Sequence, residues 1–155
     1  MKRRTIAKTF AIAAVTALAL GVAPAAKANN YKGCSNATLK GTFSHMGTGF
    51  TTAPPAMAQP FAGLGTDTFD GNGNITGTAT VSINGNTVSD NEAGTYKVNP
   101  DCTGTYTVQF SAGGSTSASF VITAGGNEIQ AICTDPGTVI THIFRKQFPV
   151  GDWRD

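Results

Sequence analysis

Along most of the chain, apolar or small residues alternate with Thr, Ser, Asn and charged residues, and clusters of Gly, Asn, Asp and Pro interrupt the alternation at short intervals. The clearest run is 61–83. Phe61, Gly63, Gly65, Asp67 and Phe69 share one parity; beyond Asp70-Gly71-Asn72-Gly73-Asn74 so do Ile75, Gly77, Ala79, Val81 and Ile83, with Thr76, Thr78, Thr80 and Ser82 opposite. Side chains on a strand alternate between faces, and Asn-Gly accepts the positive φ of a tight turn. The run therefore predicts a β-hairpin with one buried and one wet face.

The same device recurs on either side. A first strand is predicted over 38–46, with Leu39, Gly41, Phe43 and His45 on one face. Residues 51–60 include Pro54, Pro55 and Pro60, which lack the donor a central strand needs, and read as the longest loop. Asn84-Gly85-Asn86 turns the chain into a fourth strand with Gly94, Tyr96 and Val98 aligned, and its polar run from Ser89 to Glu92 predicts a bulge or break near Asp90. A fifth strand aligns Tyr106, Val108 and Phe110; a sixth is predicted over 120–123; a seventh aligns Ile129, Ala131 and Cys133, and an eighth Ile140, His142 and Phe144. Turns fall at Asn99-Pro100-Asp101, Ala112-Gly113-Gly114, Gly125-Gly126-Asn127 and Asp135-Pro136-Gly137, and 147–155 reads as a tail pinned by Phe148 or Trp153. Eight strands in simple succession leave two exposed edges unless they close. The predicted fold is all-β: a single closed antiparallel up-and-down β-barrel of about eight strands, the last beside the first.

The N-terminus adds a compartment. Lys2, Arg3 and Arg4 precede an apolar run over 10–22, and Ala26-Lys27-Ala28 has the small-x-small pattern of a cleavage site, so 1–28 reads as a secretory signal peptide and 29–155 as the barrel domain with its tail. No stretch reaches the roughly 20 apolar residues of a membrane-spanning helix. Five of the eleven Lys and Arg lie in the leader, leaving six against nine acids, so the mature net charge is −3 rather than +2. The six are scattered and form no row for phosphates, so no nucleic-acid partner is expected.

Connections in a meander alternate between the two poles. Cys34, just before the first strand, and Cys102, just before the fifth, therefore share a pole, and Cys133, at the end of the seventh, lies at the other. The expected disulfide is Cys34 to Cys102, with Cys133 a free, inert thiol that has no flanking cation, although an intermolecular bridge through it stays open.

Candidate chemistry is sparse. The turn at 70–74 opens like a calcium loop, but Ile75 stands where that loop needs glycine and Val81 where it needs a bidentate acid, so no metal is expected. His45 and His142, on strands that closure makes neighbours, face inward with Asp67; together they are the candidate group for an acid–base pair or, less favoured, a metal site. No nucleophile motif, phosphate loop or cofactor motif is present, and no cofactor is expected. Phe43, Phe61, Phe69, Tyr96, Tyr106, Phe110, Phe120 and Phe144 share the inward face. They read as core or, where Gly41, Gly63, Gly65, Gly77 and Ala79 leave room, as the wall of a pocket with residues 51–60 as its lid.

The segments Cys34-Ser35-Asn36-Ala37-Thr38-Leu39-Lys40-Gly41-Thr42-Phe43, Phe69-Asp70-Gly71-Asn72-Gly73-Asn74, Gly94-Thr95-Tyr96 and Asp101-Cys102-Thr103-Gly104-Thr105 resemble a group of short exported bacterial proteins without an assigned activity. More distantly the design resembles the allene oxide cyclase type of eight-stranded barrel, related in shape to the calycins. That resemblance implies a barrel and an apolar ligand, while no catalytic residue of that type matches a position here. The leading expectation is a secreted or periplasmic, non-enzymatic barrel that binds a small apolar molecule. The alternatives are a self-associating structural or assembly protein of the cell exterior, and an isomerase or cyclase using His45, Asp67 and His142.

Overall fold

The computed structural model describes residues 33–52 and 58–148. The leader, the centre of the 51–60 loop and the tail beyond Phe148 lie outside them, and with them the signal-peptide, lid and Trp153 expectations. Eight strands, β1 (Lys40–Thr51), β2 (Gln59–Asp70), β3 (Asn74–Ile83), β4 (Asn86–Val98), β5 (Thr103–Phe110), β6 (Ser115–Thr123), β7 (Glu128–Cys133) and β8 (Thr138–Lys146), follow one another around a closed barrel. Every neighbour is antiparallel, and β8 closes on β1 with His45 opposite Phe144 and Gly47 opposite His142.

Three strand readings need correction. β1 continues past Gly47 and Gly49 to Thr51, because both β2 and β8 pair with it there. β6 begins at Ser115: its Ser/Thr-rich start lacks large apolar residues, yet it pairs with β5 and its Ser117 hydroxyl lies 3.0 Å from that of Thr107. β4 carries no bulge or break. It pairs with β3 in one unbroken register from Asn86 to Thr95, and its polar first half stands clear of β5, which it meets only from Glu92 onward.

The poles differ. Cys34 and Cys102 are bonded, with Cα atoms 4.9 Å apart, and the Cys34 N–H donates to the Pro100 carbonyl at 3.1 Å. The lead-in crosses this pole as a single 3-10 turn, Asn36–Thr38, and inserts Leu39, which is fully buried. Tyr96 fastens the plug: its hydroxyl donates to the Leu39 carbonyl at 2.9 Å and accepts the Gly71 N–H at 3.0 Å. Asp70 organises the adjacent hairpin turn by accepting the N–H groups of Asn72, Gly73 and Asn74 at 2.7 to 3.0 Å. The Asn74 side-chain amide, which donates to the other Asp70 oxygen at 2.6 Å, and after it these backbone bonds favour the ionised form and hold the carboxyl down to about 2. Above this end the core packs ring on ring, Phe43 to Phe69 at 5.2 Å and Phe69 to Tyr96 at 5.0 Å, both edge-on.

Candidate functional site

The other half of the barrel is hollow. A cavity of about 420 Å³ opens at the pole away from the disulfide. Its wall includes Phe61, Val81, Ile83, Val108, Phe110, Ile140 and Phe144, and Val88, Ala112, Gly113 and Thr138 lie around its mouth. Of the eight inward aromatics, Phe61, Tyr106, Phe110 and Phe144 border the cavity, whereas Phe43, Phe69, Tyr96 and Phe120 do not and belong to the packed core. Those four sit nearer the plugged pole, where rings meet rings and leave no space.

Polar groups gather at the inner end. His45 Nδ1 lies 2.8 Å from Asp67 Oδ2, and Glu92 lies in the same group; all three are buried. The register explains how three strands deliver them to one place. Phe43, Asp67, Gly77, Glu92 and Phe110 form one row across β1 to β5, so Asp67 and Glu92 flank a residue without a side chain. A Cβ at Gly77 would overlap Asp67 Oδ1, and one at Gly65, opposite His45, would stand 2.9 Å from the His45 ring. The space at Gly77 is thus taken first by the Asp67 side chain, whereas at Gly65 a Cβ would first meet the Thr78 carbonyl, with the His45 ring beyond it.

The electrostatics follow from burial. Glu92 is held protonated to about 8, first by desolvation and then by the adjacent Asp67 carboxylate. His142, its ring 5.9 Å from that of His45, is pushed down to about 4, first by desolvation and then by His45. Its Nε2 lies 3.7 Å from Cys133 Sγ. Burial raises the Cys133 thiol, so this contact joins a neutral imidazole to a neutral thiol and does not activate a nucleophile. Cys133 faces the barrel interior, which keeps it from bridging two molecules. Tyr106, also raised by burial, presents a neutral phenol at the cavity wall.

The structure therefore brings His45, Asp67 and His142 together and adds Glu92, which sequence reasoning missed. The signal was available: Glu92 shares the parity of Gly94, Tyr96 and Val98, and an unbroken strand would have turned it inward. Chemically, the group can hold a proton between two carboxylates, pair a polar ligand atom, or coordinate a cation.

No family model matches the chain, and no curated protein matches it. Among solved structures it is similar to a de novo designed fluorescence-activating β-barrel, with a TM-score of 0.50 and 13% identity over 71% of this chain and 94% of the designed one. At that identity the likeness bears on the fold alone, an eight-stranded closed barrel.

Proposed function

We propose that the protein is an exported, calycin-like barrel that binds a small, largely apolar molecule in its cavity. The observation that carries this reading is the cavity itself: about 420 Å³, within the roughly 300–1,000 Å³ usual for ligand sites, with apolar walls and a few polar groups converging at the inner end. The designed neighbour is described as fluorescence-activating, which fits an interior able to take a small molecule. Export is supported by the leader pattern and by the Cys34–Cys102 disulfide, a bond of oxidising compartments such as the periplasm and the exterior.

An uncharged solvatochromic dye, Nile red, tests the reading. Wild type is expected to give a saturable, one-to-one fluorescence rise. Ala79→Trp, which fills the cavity from β3, abolishes it, and Thr141→Lys on the outer wall leaves it intact. An unchanged rise in a folded Ala79→Trp protein would overturn the assignment.

A second reading, self-association, rests on a different observation. Met46 pairs with Leu64 on one side and Ile143 on the other, placing an apolar row on the outer wall, all three residues more than 40% exposed. Sedimentation of wild type against Met46→Lys checks it, and a monomer at the highest attainable concentration rules it out.

A further inference from the structure

We propose that His45, Asp67 and Glu92 form a binding site for one divalent first-row transition ion, such as Zn²⁺ or Mn²⁺, at the inner end of the cavity. One donor atom from each residue lies within 4.8 Å of the other two, and the residues come from three different strands held by the barrel ladder. The site is more than an acidic cluster. Asp67 is 3% exposed and Glu92 7%, and Asp67 Oδ1 and Glu92 Oε1 are both buried without a hydrogen-bond partner. Buried carboxylate oxygens without partners are costly. Among the described residues the ion pairs are His45 with Asp67 and Arg145 with Glu128, so neither Lys nor Arg reaches this pair of acids. A dication supplies the missing charge and the missing partners in one step.

Geometry and donor type narrow the ion. Bonds of about 2.1 Å set adjacent donors of an octahedral ion about 3.0 Å apart, close to the 2.8 Å between His45 Nδ1 and Asp67 Oδ2. The Glu92 donor atom stands within 4.8 Å of the other two, on the far side of Gly77 from Asp67. Calcium requires about six to eight oxygen donors and magnesium retains several waters, whereas one imidazole with two carboxylates suits zinc, iron or manganese. His142 is not a ligand: its Nδ1 packs against Gly47 and its Nε2 faces Cys133. Binding sends two protons to solvent, the one held between His45 Nδ1 and Asp67 Oδ2 and the one carried by Glu92, and leaves coordination positions open toward the cavity that these residues line.

This inference does not depend on the apolar ligand, and its test is separate. The chelator-treated full-length protein is titrated with Zn²⁺ alone by calorimetry and with Co²⁺ alone by visible absorption. One equivalent is expected to saturate. Asp67→Asn and Glu92→Gln should each weaken binding at least about 10-fold, with Glu128→Gln on the outer wall as the unchanged control, and circular dichroism confirming that each variant is folded. Should a variant fail to fold, ¹¹³Cd resonance of the wild-type complex reports the donors directly: nitrogen and oxygen ligation supports the site, and sulfur ligation overturns it. Absence of stoichiometric binding in folded wild type, or equal binding in a folded Glu92→Gln protein, also overturns it, whatever Nile red does.

Discussion

Replacing both Cys34 and Cys102 by Ala tests the physical role of the plugged pole. The bond closes a loop with a sequence separation of 68 residues. On the chain-entropy account, a loop of that length removes about 15 cal/mol/K from the unfolded ensemble, or about 4 kcal/mol at 25 °C. For a domain of this size that is a fall in Tm of about 15 °C. The two sulfurs also pack against the core, so some of the loss will be native-state packing. The assay separates the terms. Urea unfolding is run on oxidised wild type, reduced wild type and the double variant. An unfolded-state effect requires reduced wild type and the double variant to lose similar stability, and both to show a larger m-value, because the released chain exposes more surface. Nile red binding by the folded fraction should persist, since the cavity lies at the opposite pole. A loss below about 1 kcal/mol in both proteins would refute the reasoning, and a large loss confined to the double variant would show that packing, not chain entropy, is the source.

Phe43 is fully buried on β1, and Phe43→Ala should cost about 3–5 kcal/mol in urea unfolding. Gly77→Ala should lower stability by about 1–3 kcal/mol, because the new methyl meets the Thr66 carbonyl, and should abolish Zn²⁺ binding by displacing Asp67; unchanged binding would show that the row geometry is not what positions the acid. Asp70 supplies a pH dependence: its carboxyl is lowered from 3.8 to about 2 on folding, so its stabilising effect is complete above about pH 4 and is lost as pH falls through 2. The difference in urea midpoint between wild type and Asp70→Ala should therefore be full at pH 5 and close by about pH 2.

Much of the fold was legible because its signals are local. Period-two alternation identified the inward faces of the strands, and turn chemistry at Asp70, Asn84, Asn99, Ala112, Gly125 and Asp135 placed six of the connections. Connection parity then located the disulfide without any distance, since Cys34 and Cys102 both precede strands that start from one pole. Strand length was less legible. The end of β1, Gly47 to Thr51 with Phe50 its one large apolar residue, and the start of β6, Ser115 to Ser117, say little alone; the first is recruited by β2 and β8 together and the second by β5.

The site was half legible for a related reason. His45, Asp67 and His142 stood out as inward polar residues among apolar ones, but Glu92 sat in a polar run that looked like an interruption. Such a run has two physical explanations, a strand that breaks or a strand that outlasts its neighbour, and they make opposite claims about Glu92. β5 ends at Phe110 opposite Glu92, so beyond that rung β4 keeps only β3 as a ladder partner; on its other side the turn after β5 meets it, the Ser111 N–H donating to the Asn91 carbonyl at 2.9 Å and the Ala112 N–H to the Asp90 carboxylate at 2.8 Å, and the stretch can be polar while staying in register with β3. Glu92 marks the last rung before that exposed stretch. Its charge problem and its place beside the cavity thus have one cause, the step in height between β4 and β5, which makes Glu92 the last residue of β4 laddered to both neighbours and sets its buried carboxyl in the cavity wall.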